Sequence, residues 1–295
     1  MRLSALAEER CCGCVSPDAT GEDYNLGLHI AAIFIVFGVS ITGTLVPIVS
    51  TRGPFANQQA IALEWLTSFG FGVVIATGLI HMVGEGIEKL KDPCLGEIVE
   101  EYESLGLAIV LGTILLMHLI ECESAETATL GDRKPAKRKL AAALFEMGVL
   151  FHSLVVGIDL GVTSGTDFKT LLTAMCIHQF FEGVALGGST LGAMETLRQA
   201  MAMNTGFAVT TPLGLIVGIA IRASYSETSV AALWVQGVLN CVAGGILLYT
   251  GLVELLTYQM TTNGDFLTRT GNQRAMLYVA LWLGAGTMAL IGKWA

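Results

Sequence analysis

The chain has 295 residues, 53% of them hydrophobic and only 14% charged, with a mean hydropathy of +0.65. A soluble domain carries about a quarter charged residues, so this composition excludes an ordinary water-soluble globule. The formal net charge of −9, with dense basic sequence confined to one short loop, argues against nucleic acid as a partner.

Residues 1–28, "MRLSALAEERCCGCVSPDATGEDYNLGL", are polar or mixed and lack the apolar core and cleavage site of a secretory signal. They read as a Cys-containing segment preceding one helical domain over 29–295. A helix needs about 20 mostly apolar residues to cross the hydrocarbon layer. Eight stretches qualify, over 29–50, 60–83, 105–121, 140–162, 169–194, 205–222, 230–256 and 275–292. Backbone polar groups cannot be left open in lipid, so the expected fold class is all-α, a polytopic membrane bundle of eight transmembrane helices. The short loop 123–139 holds Arg133, Lys134, Lys137, Arg138 and Lys139, the densest basic cluster in the chain. The bias of lysine and arginine toward the cytoplasm puts that loop inside and both termini outside. The acidic loop "EGIEKLKDPCLGEIVEEYES" then also faces outside, where it attracts cations toward a pore mouth. The seven cysteines show neither the paired CxxC spacing of a structural zinc site nor a clean disulfide framework.

All five histidines lie within or at the edge of an apolar span. His29, at the start of the first, reads as a residue that hydrogen-bonds a neighbouring helix. His81 and Glu85, near one mouth of the second span, share a helical face at i and i+4 and read as pathway residues. The short third span ends in His118, Glu121 and Cys122, either a pathway cluster or a solvated helix end. The fourth, "LFEMGVLFHSLVVGIDLGV", places His152 and Asp159 on one face and Glu146 and Ser153 on an adjacent one. The fifth, "HQFFEGVALGG", carries His178 and Glu182 at i and i+4, with no lysine or arginine nearby in the span to neutralise the carboxylate. Imidazole and carboxylate on facing helices build first-row metal sites, and this mixture suits Zn²⁺, Fe²⁺, Mn²⁺ or Cd²⁺. Gly157-x-x-x-Gly161 and Gly183-x-x-x-Gly187 are expected to let the fourth and fifth helices approach, bringing His152 toward His178 and Glu182. In the sixth span Pro212 predicts either a packing kink or a broken helix that coordinates an ion.

The paired segments "HSLVVGIDLG" and "HQFFEGVALG" closely resemble the signature of the ZIP family (ZRT/IRT-like proteins). "YNLGLHIAAIFIVFGVS", "GFGVVIATGLIHM" and "GILLYTGLVELL" are similar to its fungal, plant and protist branch, so the resemblance covers most of the chain from residue 24. It implies a carrier of zinc, iron, manganese or cadmium into the cytoplasm, with His152, His178 and Glu182 as central ligands. Where many members add a second metal, this chain has Ser153, Val156 and Gln179, so a single-metal centre aided by Ser153 and Gln179 oxygens is expected. The histidine-rich loop usual between the third and fourth spans is missing here, and His118, Glu121, Cys122 and Glu123 are expected to receive the metal instead. The resemblance further implies an elevator-like motion of spans one, four, five and six.

The expected partners are the metal ion, as substrate rather than cofactor, and the lipid bilayer of the plasma membrane; a homodimer is left open. The competing reading is an intramembrane metal-dependent hydrolase using the same ligands. It has less support, because HExxH is absent and "HQFFE" supplies no general base beside the ligands.

Overall fold

The structure, a computed structural model, describes residues 12–13, 24–52, 56–96, 99, 101–127, 133–226, 228–261 and 264–292. Among these, eight helices are long and apolar enough to cross a membrane: α1 (Leu26–Thr51), α2 (Ile61–Leu90), α3 (Leu105–Glu123), α4 (Arg138–Val162), α5 (Gly165–Ala193), α6 (Leu197–Ile221), α7 (Val230–Thr257) and α8 (Gly271–Ile291). No strand occurs among the described residues. Residues 128–132 of the basic loop, and Cys11 and Cys14, lie outside the described residues, as does the side chain of Glu254.

The helix starts follow local capping chemistry. The Thr196 side chain accepts from Gln199 N ahead of α6, and the Ser229 side chain accepts from Ala232 N ahead of α7. Thr270 and Gln273 form a reciprocal capping box ahead of α8. The polar first turns of α5 and α6 fall outside the apolar runs, which is why the sequence reading began both helices too late. Helix α6 runs unbroken through Pro212, so the proline does not open a broken-helix ion site. The hydroxyl of Thr210 donates to the Gly206 carbonyl on the same helix.

Packing divides the helices into two groups. In one, α1 lies against α5 and α6, and α4 lies against α6. In the other, α2 lies against α7 and α8, and α3 lies against α7. The groups meet where α4 touches α7 and α2 touches α5. Small residues set the first group's spacing, but not between the expected partners. A Cβ on Gly157 would lie 2.5 Å from the Thr211 carbonyl oxygen of α6, and one on Gly187 would lie 2.5 Å from the Thr44 carbonyl oxygen of α1. The glycine pairs therefore fasten α4 to α6 and α5 to α1, rather than α4 to α5.

Two features were not legible in the sequence. Helix α2 widens into a π-helical stretch at Thr77–Val83, and the end of α7 passes into another, Thr250–Thr261, that runs on beyond Thr257. Such wide turns concentrate at functional sites. The expectation of no disulfide framework is also corrected: Cys12 is bonded to Cys94 across 82 residues, with Cα atoms 5.6 Å apart. Gly13 N donates to Thr228 Oγ1 at 3.2 Å, so this part of the N-terminal segment lies beside the α2–α3 and α6–α7 loops.

Candidate metal site

Helix α4 supplies His152, while α5 supplies His178 and Glu182 one turn apart. One ligand atom from each lies within 4.8 Å of the others. The three residues are at most 1% exposed. Neither imidazole has a hydrogen-bond partner at either nitrogen, nor does either carboxylate oxygen of Glu182. Buried polar groups are normally satisfied, so a cluster left open at every atom calls for an occupant. Two neutral imidazoles and one carboxylate fit a tetrahedral or five-coordinate first-row dication with room for another donor.

Beside these three, though outside their 4.8 Å group, His81 stands in the π-helical stretch of α2. The His81 ring centroid lies 5.8 Å from that of His178 and 6.2 Å from that of His152. Its Nδ1 is 2.8 Å from Glu85 Oε1, while Nε2 is buried without a partner. A carboxylate on one ring nitrogen fixes the other as the ligand atom, a common arrangement behind metal-binding histidines. The sequence reading placed His81 near a mouth as a pathway residue; in the structure it lines the cavity and its ring lies beside those of His152 and His178. Asn240 Nδ2 donates to Glu85 Oε2 at 3.3 Å, a partner that the sequence reading missed.

Ser153 and Gln179 are fully buried beside the ligands. Gln179 Nε2 donates to Ser40 Oγ at 3.1 Å and to Thr211 Oγ1 at 2.9 Å, holding α5 against α1 and α6. Its Oε1, like Ser153 Oγ, has no partner. The third-span residues do not join the centre. His118 Nδ1 is 3.2 Å from the Tyr249 hydroxyl, which itself donates to Glu121, and Cys122 Sγ is 3.7 Å from His118 Nε2. Glu146 faces α6 at Gly206, where a Cβ would meet its Oε1 at 3.0 Å.

His29 is structural, as expected. Its nitrogens lie 2.8 Å from the Asn25 carbonyl and 2.9 Å from the Thr163 carbonyl, and its ring stacks on Tyr24. Burial holds the Tyr24 phenol above its ordinary range, against the pull of the Arg222 guanidinium over its ring.

A cavity of about 380 Å³ runs from Asp92 and Thr228 down to Glu85 and His81, with Asp159 on its wall. Beyond the triad, Phe145, Val149, Leu186, Phe207 and Leu247 form one fully buried apolar cluster. By their positions along the helices they lie on the side away from the cavity, so the site is approached from the face carrying Asp92 and closed toward the other.

The family model described as "ZIP Zinc transporter" matches residues 26–122 and 121–292. The chain is 34% identical over 287 residues to Zinc transporter 3 of Arabidopsis thaliana, covering 90% of this chain and 84% of that protein. It is 28% identical over 323 residues to Fe(2+) transport protein 1 of the same plant, covering 99% and 92%. Against Zinc-regulated transporter 1 of Candida albicans it is 27% identical over 302 residues, covering 95% and 64%.

Proposed function

The chain belongs to the ZIP zinc transporter family, and on that premise we propose that it carries zinc, and iron next, into the cytoplasm through His152, His178 and Glu182. The observation that carries this reading is the convergence of three buried ligands with no partner among them. Of the relatives named above, one is named as a zinc transporter, one as an Fe(2+) transport protein and one as a zinc-regulated transporter. Family members are transporters, so the hydrolase alternative is set aside. Manganese and cadmium suit the same donors, but the names of the relatives above point to zinc and iron.

Both termini face outside, at the plasma membrane. A disulfide persists in an oxidising compartment, and Cys12–Cys94 lies on the face that this orientation puts outside. Metal enters the cavity past the acidic loop and meets His81, which Glu85 holds in position. The triad then replaces the ion's water. His81 belongs to the group of α2, α3, α7 and α8, whereas the triad sits on α4 and α5 of the other group. Sliding one group against the other carries the triad away from His81 and opens it inward, where His118, Glu121 and Cys122 serve as acceptors. Ser153, Val156 and Gln179 stand where the family resemblance implies the donors of a second metal, so one ion occupies the centre.

The test is radiolabelled zinc and iron uptake in metal-uptake-deficient yeast. The intact chain is compared with His178→Ala and Glu182→Ala at matched surface expression. Uptake by the parent that both variants lose supports the reading. Variants that carry metal as well as the parent overturn the assigned site.

A further inference from the structure

Gln236 of α7 is buried and commits its amide nitrogen to two partners. Nε2 donates to Asp159 Oδ1 of α4 at 2.8 Å and to the hydroxyl of Tyr225, on the loop leading into α7, at 2.6 Å. The first of these bonds crosses between the two helix groups, since α7 packs in one and α4 in the other. One turn further along α7, Asn240 Nδ2 donates to Glu85 Oε2 of α2 at 3.3 Å, and that bond stays within a single group. Asp159 is two turns from His152 on the same face of α4, so whatever holds Asp159 also sets the height of His152 in the bundle.

The crossing bond can open without leaving a charge stranded. Asp159 lies on the cavity wall, where water can replace the amide N–H. Gln236 keeps the Tyr225 hydroxyl on its own side of the bundle. A hydrogen bond to a carboxylate is stronger than one between neutral groups, yet exchange with water leaves only a modest net gain. A contact of that size suits a latch: strong enough to bias two arrangements of the helix groups, weak enough to be released. The Asn240–Glu85 bond has no such role, because its two helices move together.

We infer that Gln236 is a positioning residue that latches α4 to α7 while the cavity is open on the Asp92 face, and that it lets go of Asp159 as the helix groups slide. The release step rests on the carrier reading; the hold on the open cavity does not. Gln236 acts through α4, so its loss changes how often the cavity is open rather than the chemistry of the triad.

The test uses the purified, chelator-treated full-length chain carrying Leu171→Cys, a reporter on the cavity wall. The rate of maleimide labelling at that cysteine is read by peptide mass spectrometry. Gln236→Leu keeps the bulk and removes the donor. It should slow labelling about twofold or more, since losing a bond to a charged group shifts a two-state balance about tenfold. Gln236→Lys keeps a donor and sets a positive charge against Asp159, so labelling should match or exceed that of the parent. Both changes should lower maximal zinc uptake in yeast, the first by depopulating the open cavity and the second by holding it open. A merely structural defect would move labelling the same way in both. Labelling that Gln236→Leu leaves unchanged overturns the latch, as does slower labelling or undiminished uptake with Gln236→Lys. Size exclusion and thermal melting check folding, and Gln236→Lys decides alone if Gln236→Leu does not fold. Labelling that follows residue 236 in a chain that transports nothing sinks the carrier reading and leaves the hold on the open cavity standing.

Discussion

His81 Nδ1 lies 2.8 Å from Glu85 Oε1, one helical turn along α2, while the other ring nitrogen is buried without a partner in a ring 5.8 and 6.2 Å from those of His178 and His152. Glu85 thereby positions His81. Removing it frees the ring while leaving the imidazole in place. Glu85→Ala should weaken metal binding about 10- to 100-fold, the usual cost of losing a group that orients a ligand. In uptake this reads as a raised KM with a smaller change at saturation. An unchanged KM would show that His81 is oriented by something else.

Metal should also stabilise the folded chain. Ligand at about 100 times its Kd adds about 2.7 kcal/mol to the stability of a state that alone binds it. Zinc added to chelator-treated protein is therefore expected to raise its melting temperature. His152→Ala should abolish that rise. A full zinc shift in the variant would place the ion elsewhere.

The pH response follows from competition between protons and metal for the same atoms. Imidazole nitrogens must be unprotonated to bind, so metal uptake releases protons and acid opposes it. Lowering the external pH from roughly 7 to roughly 5, across the ordinary histidine range, should depress initial uptake rates at limiting zinc. Excess zinc should recover most of the loss. Rates that rise with acid would point instead to protons driving transport.

Gly157 gives a stability test remote from the ligands. A Cβ there would lie 2.5 Å from a backbone oxygen of α6, which cannot swing aside as a side chain can. Gly157→Ala should cost about 1–3 kcal/mol by overpacking, read as earlier thermal unfolding in detergent. Gly192→Ala, with nothing within 4 Å of the added carbon, is the control and should melt like the parent.

The Cys12–Cys94 bond reports topology. On intact cells, a membrane-impermeant reductant followed by an impermeant maleimide should label Cys12 and Cys94. Labelling that requires permeabilised cells would reverse the proposed orientation.

Composition and span length alone determined the class of fold, because lipid tolerates no unsatisfied backbone and leaves an apolar chain of this kind only helices. The identity of His152, His178 and Glu182 was legible for a related reason: ionisable groups stand out in apolar helices, and an i, i+4 pair shares a face whatever the tertiary structure. What the glycines contact was not legible, since a small residue licenses close approach without naming the neighbour. The same holds for Cys94, whose partner lies 82 residues away. His81 lies beside the triad only because α2 packs against α5 and brings its π-helical turn near the ligand-bearing helices. Gln236 and Asn240 looked like ordinary polar residues in an apolar helix until the fold set carboxylates from α4 and α2 against them. Periodicity is a property of one helix, whereas a site shared among four helices depends on which faces meet, and packing alone decides that.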